Sequence, residues 1–363
     1  MNGDLTIADQ YMSQILERTE DRLEALGASV RFQSLVQDPP SLGVFLEESR
    51  LAQGLDFLYL VGVAGQVEAA APPAVDPRQT DWPIIRAALS GVPATSIDLY
   101  QTEDLAAISP KLAERSRFDL VATPNAIATD RRQETRGMII HSAAPVMIRG
   151  ADAALVGGIL LNRNLVFIDT INDLVYRKAS LPEGSVGTAT LFLDDVRVST
   201  NVRLFEGSRA LGTRVSAEVR KSVLDEGRTW LDRAFVVNDW YISAYEPLVD
   251  SYGRRIGMLY VGFLEAPFQR TKTETMLTIV VAFLAISAAS IPFMLRWARG
   301  IFKPLERMSR TIASVEQGDL SARTGLPPAG DEIGRVAGHL DDLLDRLQQR
   351  ERSLREWNDE LNR

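Results

Sequence analysis

The sequence contains no cysteine and only two histidines, His141 and His339, among 363 residues. Disulfide scaffolds, thiolate-bound zinc, iron–sulfur clusters and thiol nucleophiles are excluded together. The two histidines lie far apart in the chain and leave little for a His-rich metal site. Positive charge is also short, since 40 Lys and Arg face 48 Asp and Glu, giving a formal charge of −8. Binding to nucleic acid by neutralising phosphates is therefore disfavoured. With 45% hydrophobic and 24% charged residues the composition is globular, and the length suits two or three domains at roughly 150 residues each.

One segment departs from that average. Residues 276–295 (MLTIVVAFLAISAASIPFML) carry no charge, and at 1.5 Å per residue they span about 30 Å, the hydrocarbon core of one bilayer. After this run, residues 296–310 hold Arg296, Arg299, Lys303, Arg307 and Arg310 against Glu306 alone. Before it, residues 261–275 hold Arg270 and Lys272 against Glu265 and Glu274. The positive-inside rule predicts that residues 296–363 are cytoplasmic and residues 1–270 lie across the membrane. Exporting so large a region needs an anchor that Met1-Asn2-Gly3-Asp4 and its polar sequel do not provide, which predicts a further transmembrane helix upstream.

The outer region alternates helical and strand patterns. Residues 5–37 place Met12, Thr19 and Leu26 on one seven-residue row and Leu16, Leu23 and Val30 on the next, predicting one long helix ended by Pro39-Pro40. A short helix (41–52) and a strand pair, 57–63 and 66–70 around Ala64-Gly65, follow. Two longer strands, 138–148 and 154–161, are joined by Arg149-Gly150-Ala151-Asp152. The plan then recurs. Residues 187–202 match the 57–70 pair with Asp194-Asp195 at the turn, and 240–263 match 139–161, with Pro145 corresponding to Pro247 and Gly157 to Gly257. An amphipathic helix, 215–225, lies between the elements of the second copy. Two copies of one helix-plus-antiparallel-sheet unit account for the region.

The stretches ATLFLDDVRVSTNV, GSRALGTRVSAEVRKSVLDEG and RAFVVNDWYISAYEPLVDSYGRRIGMLYVG closely resemble the membrane-proximal unit of Cache sensor domains, the extracytoplasmic ligand-binding modules of bacterial receptors. With the repeat and the helix-first layout, the whole outer region resembles a double Cache. The resemblance implies an α+β fold of two PAS-like antiparallel sheets: a membrane-distal unit over 39–170 and a membrane-proximal unit over 171–270, packed along an N-terminal helix (1–38). It implies a small-molecule pocket in at least one unit, and a bacterial inner-membrane setting with residues 1–270 periplasmic.

Ligand candidates follow from strand alternation. In the proximal unit Asp239, Tyr241, Ser243 and Tyr245 share one face, and Arg233, Phe235 and Val237 share a face one strand earlier. A concave face carrying Arg233, Tyr241 and Tyr245, near Asn238 and Trp240, would hold a small organic anion or polar metabolite through charge-assisted and phenolic hydrogen bonds. The tyrosines equally suit a plain core, with Arg233 paired to Asp232 or Asp239. In the distal unit the candidates are Arg136 and His141, the histidine also suiting a hydrogen-bonded core position. Trp82, Tyr100 and Tyr59 admit the same two readings. An Arg two residues before a Trp-Tyr pair, the amino-acid motif of one Cache branch, is absent from the distal unit.

Beyond the basic flank, Ile301, Leu305, Met308, Ile312 and Val315 form a heptad row, and Ile333, Val336, Leu340, Leu343 and Leu347 form a second that continues through Leu354 and Leu361. The connector holds Gly318-Asp319, Leu320, Leu326 and Pro327-Pro328. Two short heptad helices bury their rows in a parallel four-helix bundle only when two chains meet, so a homodimer is expected. Residues 297–349 resemble a HAMP domain through Pro304, EQGDLSART and DEIGRVAGHLDDLLDRL. That resemblance assigns signal relay to Pro304 in the first helix, Leu320 as a connector anchor and Glu332 at the opening of the second helix. The second connector anchor is either Thr324 or Leu326. His339 precedes the core residue Leu340 and faces solvent, and Leu340-Asp341-Asp342 behind it is no kinase histidine box.

Residues 350–363 resemble the coiled-coil linker that follows HAMP in sensor histidine kinases. No catalytic residue, metal ligand or cofactor is assigned within the chain, ATP and magnesium being expected only in a downstream kinase domain. The expected function is extracytoplasmic small-molecule sensing and transmembrane relay as the input portion of a two-component sensor histidine kinase. Chemoreceptors and diguanylate cyclases share this front end. A membrane-anchored periplasmic binding protein would not need the HAMP heptads.

Overall fold

The computed structural model describes the chain except residues 74–76, 78–79, 178–180, 183, 205–206, 328–329 and 362–363, and the side chains of 270 and 359–361. Pro328 and the side chains of Arg270 and Leu361 therefore lie outside the described residues. The chain forms two compact units, 1–271 and 272–363.

Helix α1 (Asn2–Ala28) buries Leu5, Ala8, Met12, Thr19, Leu23 and Gly27 on one stripe. The single helix expected to residue 37 is broken at Ser29, which is extended (φ −67°, ψ 142°) and accepts the Phe32 amide as the cap of α2 (Val30–Leu35). A serine hydroxyl competes for backbone groups better than it propagates a helix. Pro39 then opens α3 (Pro39–Gln53), since a proline at the first helical position leaves no amide unsatisfied.

The rest of this unit runs β1 (Phe57–Gly62), β2 (Val67–Ala71), α4 (Pro83–Leu89), β3 (Ala94–Tyr100), α5 (Thr102–Ile108) and α6 (Pro110–Ser116). A short ladder follows, β4 (Phe118–Asp119) with β5 (Gln133–Glu134), then β6 (Gly137–Ile148), β7 (Ala151–Leu160) and α7 (Leu165–Val175). The second copy holds β8 (Gly187–Leu193), β9 (Val196–Thr200), α8 (Ala217–Arg220) continuing as a π turn over Lys221–Asp225, β10 (Trp230–Val236), β11 (Asp239–Val249) and β12 (Arg255–Leu264).

The first sheet has the order β2-β1-β7-β6-β3 and the second β9-β8-β12-β11-β10, every pair antiparallel. Strand for strand the two orders are identical, so the sequence repeat is a repeat of topology. The register corrects one correspondence. Gly157 lies opposite Ser142, before Pro145, whereas Gly257 lies opposite Leu248, after Pro247, so the two glycines are not equivalent. The β6–β7 turn is also tighter than expected: Arg149 and Gly150 alone make it, both with positive φ (52° and 81°), which matches the strand twist.

Each sheet has two buried faces. The first packs Leu58 and Leu155 against Leu23, Phe32 and Leu46 of α1–α3, and its other face packs Phe57, Tyr59 and Ile139 under Trp82, Ile85 and Leu105. The second turns Leu191, Leu259 and Val261 toward α1 and α7. Its far face packs Phe192, Tyr245 and Tyr260 under Val219 and Val223 of α8 and the π turn.

Helix α9 (Glu265–Glu316) contains Pro292 and Pro304 and is long and apolar enough to cross a membrane. Residues 276–295 are exposed apart from Ser287. Gly318 (φ 98°) follows it, and α10 (Glu332–Leu361) completes the second unit. Within one chain Met308, Ala337 and Leu344 are buried, whereas Leu305, Ile312, Val336, Leu343 and Leu347 are exposed. Thr324 is the buried connector anchor; its amide and hydroxyl donate to the Asp341 carboxylate at 2.8 and 2.7 Å, while Leu326 is half-buried. Leu320 and Pro304 are half-buried, His339 is exposed, and Glu332 pairs with Arg335 at 3.0 Å.

Candidate ligand-binding sites

The proximal trio expected from alternation does not form. The β10–β11 hairpin turns over Val237-Asn238, with Val237 at φ 60°, which sets Ala234 opposite Tyr241 and Arg233 opposite Ile242. Arg233 thus stands on the opposite sheet face from Tyr241 and Tyr245. It lies 4.3 Å over the Trp240 ring and 3.4 Å from Glu265, so its acidic partner is neither Asp232 nor Asp239. Trp240, exposed, also meets Phe235 edge-on at 5.7 Å, and Asn238 sits in the turn.

A different arginine occupies the tyrosine face. Arg197 of β9 is 2% exposed; its Nη1 donates to Thr213 Oγ1 at 2.6 Å and its guanidinium lies 4.9 Å over Phe192. Its Nε has no partner, and among the described residues no carboxylate lies within 4.0 Å. Burial draws its pKa below the usual arginine value, opposed by Tyr245, Tyr260 and Tyr241 nearby. Burial also raises all three tyrosines, which therefore remain neutral phenols.

The Tyr245 and Tyr260 rings are 4.7 Å apart, and the Tyr260 hydroxyl is 3.0 Å from Thr188 Oγ1. That hydroxyl fits only because residue 262 is glycine: a Cβ there would stand 2.4 Å from it. The outer edge of β9 is fixed by the Arg197 amide on the Thr213 carbonyl (2.9 Å) and the Gly212 amide on the Arg197 carbonyl (3.0 Å). Desolvating an unpaired guanidinium costs several kcal/mol. One hydrogen bond returns about 1 kcal/mol and a buried cation–π contact about 2 kcal/mol. A deficit remains.

Strand alternation missed this residue because a bulge between Leu191 and Phe192 resets the parity of β8 against β9. The available signal was a lone cation in the otherwise uncharged run VRVST.

The distal candidates divide. His141 is fully buried; its Nδ1 is 2.9 Å from Asp98 Oδ2 and its Nε2 3.1 Å from the Tyr100 hydroxyl. With Nδ1–H donating to the carboxylate, Nε2 accepts from Tyr100. Trp82 stacks on Tyr100 at 4.8 Å and meets His141 edge-on at 5.3 Å. The other Asp98 oxygen accepts the Ser251 amide (3.0 Å) and hydroxyl (2.7 Å), and Ser251 lies in the turn between β11 and β12. Burial works to raise the Asp98 pKa, but the bonds from His141 and Ser251 outweigh it and hold it low. Tyr59 joins this aromatic group through Phe57 at 5.9 Å, and its buried hydroxyl has no partner among the described residues. Arg136 does not join it: both its Nε and Nη2 are bound by Glu134, at 2.8 and 2.7 Å. Sequence reasoning found His141 and missed Asp98 and Ser251.

Known families match on either side of the membrane-length segment. Residues 159–275 match the Single cache domain 3 family and residues 298–349 the HAMP domain. The chain thus carries a Cache sensor segment joined by a membrane-length helix to a HAMP relay, the plan of a membrane-anchored signal-transduction receptor. The Cache match covers the second sheet, with the end of β7 and α7 before it.

Among characterised proteins the chain is similar to the Sensor protein CutS of Streptomyces coelicolor and of Streptomyces lividans, each 35% identical over 69 residues, 19% of this chain. The aligned stretch spans 17% of the length of those relatives. Solved structures of similar fold include the periplasmic domain of Vibrio cholerae LuxQ (TM-score 0.40, 12% identity, 72% of this chain and 97% of that one). Another is the sensor domain of the V. cholerae histidine kinase DctB (TM-score 0.34, 13% identity, 72% and 95%). A third is the ligand-binding domain of the Pseudomonas aeruginosa chemoreceptor PctB with L-Arg (TM-score 0.31, 13% identity, 71% and 88%).

Proposed function

We propose that this chain is the input half of a two-component sensor histidine kinase of the bacterial inner membrane. Residues 1–270 sense a small organic anion or polar metabolite in the periplasm, α9 crosses the bilayer once, and the HAMP segment passes the state to a cytoplasmic kinase core that uses ATP and magnesium. The observation that supports this reading is α9 itself. One 52-residue helix begins where β12, the strand bearing Tyr260, ends and runs to Glu316 inside the HAMP match. The HAMP helices work as a homodimer, in which a second chain covers the exposed Leu305, Ile312, Val336, Leu343 and Leu347. A few kcal/mol of differential binding is enough to move such a bundle between two packings.

The test is a chimera of this chain with the catalytic core of another HAMP-linked kinase, reconstituted in liposomes. Autophosphorylation should change severalfold when a compound that binds residues 1–270 is supplied on the periplasmic side. Phosphorylation indifferent to every binding compound would overturn the reading. Because the chain lacks cysteine, Ser208→Cys and Ser353→Cys report topology in cells when the chain is expressed behind a membrane anchor. An impermeant reagent should label the first and spare the second. In the same membranes Leu343→Cys should cross-link to its copy; monomers alone would count against the dimer.

A further inference from the structure

We infer that the second sheet holds a carboxylate-binding site anchored by Arg197, and that its ligand is a small monocarboxylate whose body lies against Phe192, Tyr245 and Tyr260. This rests on the reading above that the Cache segment senses a small molecule, and it supplies the chemistry and the place.

The guanidinium lacks an anion, and the acids around it are committed elsewhere. Asp195, two residues away, is bound by Arg214 and lies beyond ion-pair reach of Arg197. Glu134 is held between Arg131 and Arg136. Thr213 fixes the guanidinium through Nη1 and is itself fixed, its hydroxyl donating to the Ala210 carbonyl at 2.8 Å. The Nε edge is left unused.

A second buried donor of the same core cluster, the Trp230 indole Nε1–H, also lacks an acceptor. Two unpartnered donors call for an acceptor-only group, which a carboxylate is. A single cation matches a single negative charge, and the aromatic walls suit an organic body better than a hydrated phosphate. The distal cluster is no rival for an anion. Its centre is the buried Asp98 carboxylate, already saturated by His141 and Ser251.

The experiment uses the full chain in nanodiscs, with propionate, lactate and benzoate as probes and propionamide and phosphate as controls. At least one carboxylate should raise Tm in proportion to the logarithm of its concentration, as binding to the folded state alone requires. The controls should leave Tm unmoved. Arg197→Met should raise the Tm of the unliganded protein, because it removes a buried charge that only the ligand satisfies. The same variant should weaken carboxylate binding by about tenfold or more. Tyr245→Phe should fold and weaken binding to a lesser degree.

A carboxylate shift that survives Arg197→Met moves the site elsewhere and overturns this inference while leaving the sensor reading intact. A lowered unliganded Tm in Arg197→Met, or its failure to fold, makes Arg197 structural and overturns it as well. So does a wild-type protein that no carboxylate stabilises at millimolar concentration, or that propionamide or phosphate stabilises equally. Binding that depends on Arg197 but never alters the chimeric kinase supports the site and sinks the sensor reading instead.

Discussion

The two sheets of the outer region share one strand order and treat buried charge in opposite ways. In the first, Asp98 and His141 are both fully buried and each has its hydrogen-bond partner. In the second, Arg197 is as deeply buried, and its Nε faces nothing. A repeated topology fixes the path of the backbone and the places where a face opens. It does not fix what the face holds, and the polar residues are where duplicated units diverge in chemistry.

The largest effect expected from breaking this comparison is on its satisfied side. Asp98→Ala strands the imidazole and frees the Ser251 turn, and should cost about 3–5 kcal/mol in urea unfolding. Because the folded protein holds Asp98 below its usual value near 3.8, its contribution is present above that value and fades as the pH falls through the lower, folded one. That acid-limb loss should be missing from Asp98→Ala.

A pair of glycines sharpens the contrast next. At Gly262 a Cβ would stand 2.4 Å from the Tyr260 hydroxyl and 3.0 Å from the Ile242 carbonyl, so Gly262→Ala in the second sheet should lose about 2–3 kcal/mol by thermal melting. At Gly157 in the first sheet the nearest atom is a Leu55 methyl at 3.1 Å, which can swing aside, and Gly157→Ala should lose less than about 1 kcal/mol. Equal losses would mean that crowding at Tyr260 is relieved more easily than its packing suggests.

The third concerns the α1-facing side of the second sheet. Glu246 has a buried, unpartnered Oε1, and burial, with the Asp9 charge second, pushes its pKa up to about 7. The folded state prefers the protonated acid. That stability is complete below the ordinary value of 4.5 and is lost as pH rises through about 7. Glu246→Gln should flatten the alkaline side of a Tm-against-pH curve and gain on the order of 1–2 kcal/mol near neutral-to-alkaline pH, after allowance for solvent screening.

Smallest is Ser251→Ala. It removes one hydroxyl bond from Asp98 and keeps the amide bond, so about 1 kcal/mol is expected.

Much of the fold was legible because turns and alternation are local. Asp194-Asp195 and Ala64-Gly65 mark hairpins that form where they were expected, with Asp194 at φ 52° and Gly65 at φ 79°. The heptads in α9 and α10 needed only periodicity. The break at Ser29 was hidden because the seven-residue rows run straight through it; capping by one hydroxyl decides the matter. The site was less legible. Tyr241 and Tyr245 were placed on the right face, but the cation beside them depends on cross-strand register. A two-residue turn at Val237-Asn238 sends Arg233 to one side, and the bulge beside Phe192 brings Arg197 to the other. His141 could be located on its strand, while its partners come from β3 and from a turn 110 positions downstream of it, which no local pattern connects.

The carboxylate shared between β3 and the β11–β12 turn also bears on how this region opens. Two modules tied only by a linker breathe independently, and their amides exchange with solvent at two separate rates. Here a turn of one sheet cannot lift away without leaving Asp98 half-bonded in a dry interior, with the Tyr252 ring pulled from its 5.7 Å contact with Trp82. The two sheets then behave as a single foldon. The slowest amides of β6 and β12 exchange through one common global unfolding event, and fluctuations that begin at the hairpin tip are damped before they become partial unfolding.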